Sequence, residues 1–186
     1  VATLPSTGRA GETVALVPIR ALSWHLVTLP QGISLSNGTR LRAVLEGLLE
    51  ERLLDDPAQL HFALQPGARA GEATWIAVCD RAWLQSCLQA LEAAQRPVAR
   101  IVPEFAPGTE GPSEYFALGT PEEAQFLATG QGATQNLALV PLAAAPMLLA
   151  QAPATENGVP PNVLADPAVA ALAEKRLGRP VALTTA

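Results

Sequence analysis

The chain has 186 residues, 49% of them apolar and 4% aromatic, with 12 Lys and Arg against 17 Asp and Glu for a net charge of −5. That length holds one large domain or two small ones, and the apolar content excludes wholesale disorder. The acid excess and the lack of a basic stripe exclude an ordinary nucleic-acid binder, and the scarce aromatics leave the core to Leu, Val and Ala.

The chain opens on "VATLP" rather than methionine, which reads as a trimmed N-terminus, and no secretion signal follows. "TVALVPI" and "LSWHLVTL" read as strands joined at Arg20-Ala21. Trp24, Leu26 and Thr28 should share one face, and His25, Val27 and Leu29 the other. "PQGISLSNG" is a turn-rich loop, after which Asn37 or Thr39 can cap a helix. The helical period predicts that helix over roughly Arg40 to Leu54. Leu41, Val44, Leu45, Leu48, Leu49 and Arg52 line its inner stripe, while Arg42, Glu46 and Glu50 form a wet face.

"QLHFALQ" and "ATWIAVCD" are the third and fourth strands, separated by a Pro-Gly turn. Asp80 should cap the helix "RAWLQSCLQALEAAQ", with Trp83, Leu84, Cys87, Leu88 and Leu91 buried. "PVARIV" is a fifth strand. The loop "PEFAPGTEGPSE" marks a boundary near Pro103, giving units at 1–103 and 104–186. Beyond it "EYFALG", "AQFLATG" and "TQNLALVP" read as three short strands. "LAAAPMLLA" is a helix disturbed by Pro146, and "QAPATENGVPPN" is a second loop. "DPAVAALAEKRLG" is a helix with an Asp166 cap and a Gly178 stop, and "PVALTT" begins a last strand. The halves share an order of strands, helix and helix–strand units.

Local motifs supply no reaction. Lys175, the only lysine, sits inside a helix beside Glu174, so a Walker phosphate loop is absent. The Gly-x-Gly in "ATGQGATQN" lies between strands and reads as a hairpin turn. His25 and His61 stand in strands without a second ligand at metal spacing, and no serine occupies a Gly-x-Ser-x-Gly elbow. Cys79 and Cys87 have neither zinc nor disulfide-framework spacing, so both read as reduced thiols in a reducing compartment. The longest near-apolar run, Leu137 to Ala150, is too short for a membrane span, and the chain reads as soluble.

Acids crowd Glu50, Glu51, Asp55 and Asp56, where a helix dipole disfavours them by a few tenths of a kcal/mol each, about 0.3–1 at most. One reading makes them solvated, with Asp56 capping the Pro57 turn. The other makes them a docking patch for a basic partner, which would steer encounter in a salt-sensitive way. Glu122-Glu123 form a rival acidic pair in the second half.

"LSWHLVTLP", "RLRAVLEGLLEERLLDDPAQLHFAL", "WIAVCDRAWLQSCLQALEAAQRPVARIVPEF" and "NLALVPLAAAPMLLA" together resemble the cytoplasmic region of the type II secretion system protein L (GspL) family. The resemblance is close from about Glu12 to Phe105 and looser to Ala186. It implies an actin-like α/β fold of tandem RNase H-like units, with mixed sheets flanked by helices. It also implies a non-enzymatic scaffold, without a cofactor, on the cytoplasmic face of the bacterial inner membrane. That scaffold recruits the N-terminal domain of the secretion ATPase GspE. The family is bitopic and meets GspM-type platform proteins through regions outside this chain, and a homodimer fits the picture.

Nucleotide-using relatives of this fold carry an Asp-x-Gly-Thr turn in a unit's first hairpin. In "ALGT", Ala117 to Thr120, Ala117 stands in place of the Asp, which suits a scaffold rather than a sugar-kinase-like ATPase. The competing non-enzymatic reading is an actin-like pilus-assembly or cell-division adaptor that binds a peptide and a nucleotide. The resemblance inclines the ATPase contact to the second unit, at Glu122 and Glu123, ahead of Glu50, Glu51, Asp55 and Asp56.

Overall fold

The computed structural model describes residues 12–107, 113–130, 137–151 and 161–184. The chain divides into two compact units, Val1–Phe105 and Ala106–Ala186. Residues 1–11, residues 131–136 of "ATGQGATQN", residues 108–112 of the "PEFAPGTEGPSE" loop, residues 152–160 of the "QAPATENGVPPN" loop and residues 185–186 lie outside the described residues.

The first unit runs β1 (Thr13–Val17), β2 (Ser23–Thr28), α1 (Gly38–Leu49), β3 (Leu60–Leu64), β4 (Ala73–Asp80), α2 (Arg81–Ala93) and β5 (Val98–Pro103). β1 and β5 pair in parallel, and β2, β4 and β3 make an antiparallel sheet with β4 in the middle. Register puts Val27, Ile76, Val78 and Leu60 on one face of that sheet. This face packs on the α1 stripe of Leu41, Leu45 and Leu49. Three buried leucines at four-residue spacing contribute about 1.5–3 kcal/mol each. The opposite face carries Cys79, which clusters with Val17 and with Leu84 of α2.

Caps set the helix starts. Asn37 Oδ1 accepts the Arg40 amide at 3.1 Å, and Asp80 Oδ1 accepts the Trp83 amide. α1 stops at Leu49, five residues before the periodicity suggests, because the Arg52 and Leu53 amides both close on the Leu49 carbonyl, at 2.8 and 3.1 Å. The next position of the stripe, Arg52, is then free to donate to the Leu26 carbonyl of edge strand β2 at 2.8 Å. On the other edge strand the Leu60 carbonyl accepts Arg42 Nη1 at 3.1 Å and Arg81 Nη2 at 3.0 Å. Both edges are thus blocked by guanidinium groups, a standard way to prevent strand addition.

Arg42 departs furthest from its expected place on a wet face. Its Nη2 also binds the Pro57 carbonyl at 2.8 Å, its Nε pairs with Glu46 at 2.8 Å, and its Cζ lies 5.3 Å from the Phe62 ring centre. An ammonium could not reach all these partners at once.

The second unit runs β6 (Glu114–Leu118), β7 (Gln125–Thr129), β8 (Leu137–Pro141), α3 (Ala145–Ala150), β9 (Val163–Ala165), α4 (Ala170–Leu177) and β10 (Ala182–Leu183). Its sheet order is β10-β9-β6-β7-β8, with β6, β7 and β8 an antiparallel meander and β6, β9 and β10 parallel. Tyr115 faces Ala128 and Ala117 faces Phe126 across the first hairpin, so each ring has a small neighbour opposite. The two rings stack with centroids 6.0 Å apart. Leu142, Ala145, Val163, Val169 and Ala173 complete this core. Pro146 sits in the first turn of α3, where its missing amide is harmless, so it starts the helix rather than disturbing it. Gly178 closes α4 in the left-handed conformation at φ +66°.

Candidate functional site

Among the described residues, three places that gather charge or line a cavity stand out, and each lies within one unit. The first follows α1. Glu50 is the C-cap residue and Glu51 the next, so the acids stand beyond the helix rather than inside it. Asp56 is committed: its Oδ1 accepts the Ala58 amide at 2.9 Å and caps the short turn Pro57–Gln59. Glu50, Glu51 and Asp55 are exposed, and Leu54 between them is 103% exposed. Of the four acids only Asp55 lines the adjoining cleft. This cleft, of about 320 Å³, also has Arg20, Ser23, His25, Arg52 and Asp80 in its wall.

His25 sits there with Nε2 3.1 Å from Ser23 Oγ. Burial, helped by the charge of Arg52, holds its pKa below the ordinary imidazole range. Across β4, a second, mostly apolar cavity of about 200 Å³ is lined by Val17, Leu22, Ala77, Leu84 and Ile101, with His61 and Cys79. His61 pairs in register with Cys79. Partial burial, then Arg81 and Arg42, lower the His61 pKa, while burial and then Asp80 raise that of the Cys79 thiol. A neutral imidazole beside a protonated thiol is the opposite of an activated cysteine nucleophile. Both cysteines are free.

The third place is the β6–β7 turn. Gly119 adopts φ +99°, where a side chain is strained, and Pro121–Glu123 form a single helical turn. Glu122 and Glu123 are both exposed on it. Ala117 is fully buried in β6 and brings no carboxylate to this turn. The carboxylate at this corner comes instead from Asp166, at the end of β9. It accepts the Gly119 amide at 3.2 Å on Oδ2 and the Thr184 hydroxyl at 3.3 Å on Oδ1. Its own amide donates to the Ala117 carbonyl at 2.9 Å.

This geometry corrects the expectation that Asp166 caps α4 with its side chain. Val169 is the cap residue of α4, and Asp166 contributes only its backbone carbonyl to the turn before it, accepting the Val169 and Ala170 amides at 3.0 Å each. The carboxylate is drawn away by the Gly119 amide, which the positive φ turns toward β9. In open α/β sheets ligands meet the chain at the C-terminal ends of parallel strands. Here the ends of β6, β9 and β10 are tied to one another by Asp166 and Thr184. Sequence reading missed β9, and with it this cluster, because three residues carry no periodicity.

Among the described residues no three His, Cys, Asp or Glu side chains gather as a metal site, and no helix is long and apolar enough to cross a membrane. The model of the family "Type II secretion system (T2SS), protein L" matches residues 2–156. The chain belongs to that family. No curated protein matches it. Among solved structures it is similar to the cytoplasmic domain of EpsL, an inner-membrane component of the type II secretion system of Vibrio cholerae. The identity is 24%, the TM-score 0.56, and the match covers 82% of this chain and 60% of that one. The shared fold is the actin-like α/β arrangement, and the protein L chain described here spans about 60% of that domain's length.

Proposed function

We propose that this protein L chain is a non-enzymatic docking scaffold on the cytoplasmic face of the inner membrane, and that it holds the N-terminal domain of the secretion ATPase GspE. Membership of the protein L family supports a role in the secretion machine. The observation that carries the docking reading is Glu122 and Glu123 standing exposed on a short, fastened turn. A fixed pair of carboxylates attracts a basic surface at long range and loses little side-chain and loop freedom on contact. The exposed Glu50, Glu51 and Asp55, close in sequence to the exposed Leu54, are the alternative contact on the first unit. The Asp166 carboxylate is occupied by Gly119 and Thr184, which favours a scaffold over phosphate chemistry at that corner. GspM-type platform proteins would be met through regions outside this chain.

Calorimetric titration with the N-terminal domain of a cognate secretion ATPase, at low and moderate salt, tests the proposal. Saturable binding that weakens with salt is expected, and reversal to Lys at Glu122 and Glu123 should weaken it further. Binding that ignores both acidic groups would remove them from the interface. No binding by folded protein would refute the ATPase role.

A further inference from the structure

The start of β2, the end of β4 and the segment after α1 line the cleft of about 320 Å³ in the first unit. Part of the lining is apolar, with Leu53 and the buried Leu60 and Val78. The rest is rich in hydrogen-bond donors. His25 pairs with Ile76 in register and lies two residues from Val27, so an imidazole takes a core-facing position of β2. Its Nε2 lies 3.1 Å from Ser23 Oγ, and with Nε2 donating, the Ser23 hydroxyl hydrogen is left for a third group. Arg52 holds the Leu26 carbonyl through Nη1, which leaves Nε and Nη2 without an acceptor among the described residues. Arg20 lines the same cleft and adds positive charge. Two acids share the lining: Asp80 has one oxygen committed to the Trp83 amide, and Asp55 is exposed. Burial and then Arg52 hold the His25 pKa low, so an anion between the two side chains would relieve their repulsion.

We propose that this cleft binds the phosphate group of a small phosphate ester, gripped by Arg52 and the Ser23 hydroxyl, with His25 behind the hydroxyl and Arg20 adding charge. A guanidinium fork beside a hydroxyl donor is the complement of an oxyanion. A tetrahedral phosphate offers more oxygens than a carboxylate to donors that come from separate elements. The volume stands at the low end of ligand sites, about 300–1,000 Å³, and holds a phosphate with a short organic body against Leu53, Leu60 and Val78. A bound anion favours the charged imidazole, so it should raise the His25 pKa, and affinity should rise as the pH falls from neutral. The other charged or titratable groups in the lining are Arg20, Arg52, Asp55, Asp80 and Cys79. The arginines keep their charge, the two acids oppose the anion, and burial keeps the Cys79 thiol protonated. The site does not depend on the docking reading given above, so either can fail alone.

The test uses the whole 186-residue chain as wild type, Arg52→Gln, His25→Gln and Asp55→Asn, each checked for folding by thermal unfolding. Inorganic phosphate, glycerol 3-phosphate and sulfate are titrated in while NMR follows the two imidazoles and the backbone amides. Saturable shifts at Ser23, His25 and Arg52 are expected, with the His25 pKa moving up and His61, which lines the other cavity, unmoved. Arg52→Gln should weaken binding roughly tenfold, the scale of losing hydrogen bonds to a charged group. Asp55→Asn should tighten it. Sulfate stays a dianion over this pH range, so its affinity should rise on acidification in wild type and stay level in His25→Gln. Co-sedimentation with phosphatidylcholine vesicles, with and without phosphatidic acid, separates the sources of the phosphate. Arg52-dependent capture by phosphatidic acid would assign it to a lipid headgroup, and its absence to a free ester. No shift at Ser23, His25 and Arg52 in folded protein, shifts centred on His61 instead, or full affinity in folded Arg52→Gln would overturn the proposal.

Discussion

The two units belong to one architectural class and are held together by different means. In the first, long polar side chains reach from helices to strand ends. Arg52 covers the β2 edge, Arg42 and Arg81 share the Leu60 carbonyl on β3, and Asn37 and Asp80 cap the helices. Glu104 adds a similar tie, accepting the Ile19 amide at 3.1 Å. In the second unit neither helix has a side-chain cap, and the sheet is organised by large rings set against small residues. Asp166 supplies a long-range carboxylate tie there. The same strand-and-helix content can thus be stabilised through directional bonds or through shape. The first is sensitive to the chemical identity of a side chain, the second to its volume.

The sharpest test of that contrast is Phe126→Ala. Phe126 is fully buried, stacks on Tyr115 and faces Ala117. Removing the ring leaves a cavity in a packed core, so the loss should be about 3–5 kcal/mol. Urea unfolding measures it, and amide exchange in β6 and β7 locates it. A loss below that of a simple exposed substitution would show that shape does not govern the second unit.

Arg42→Lys comes next and tests the first unit. It preserves the charge and most of the volume but abandons the fork that reaches Leu60, Pro57 and Glu46 together. The expected loss is about 1.5–3 kcal/mol, the scale of hydrogen bonds to a charged group. An Arg42→Lys protein as stable as wild type would mean that charge alone is what α1 needs there. Asn37→Ala should cost less, about 1 kcal/mol, because it frees only the Arg40 amide at an exposed helix start.

The contrast also explains what could be read in advance. Asn37, Asp80 and the leucine stripe of α1 announce themselves in sequence, since a cap and a period are local signals. The alternation in "LSWHLVTL" put Val27 and Leu29 on one face for the same reason, and both are buried. The long reach of Arg42 was not legible, because its four partners come from three separate segments. The shared element order expected of the two halves does not hold, since a third strand precedes the first helix only in the second unit, and the pairings differ as well: β1 joins β5, whereas β6 lies between β7 and β9. Pairing partners of that kind are not encoded in any short window. Of the candidate docking residues, the cap at Asp56 could be read from the proline after it. The role of Asp166 could not, because it depends on a three-residue strand and on the direction of one amide at a distant glycine.

The smallest expected effect separates the units by pH. Both histidines, His25 and His61, lie in the first unit, and both have a pKa lowered from 6.5 by burial and then by neighbouring arginines. In the unfolded chain each would take up a proton near pH 6.5, while in the folded chain it resists until lower pH. The unfolded state therefore binds more protons in that window, and stability rises with pH there. Lowering the pH from neutral through 6.5 should destabilise the first unit, and the loss should level off once the folded imidazoles also protonate. The second unit has no histidine, so amide exchange in β6 and β7 should stay flat over the same range while that in β2, β3 and β4 accelerates. Replacing both histidines by Gln should abolish the difference. If β6 and β7 respond as strongly as β2 to β4, or if the Gln variant keeps the slope, the titration belongs to other groups and the contrast between the units does not extend to pH.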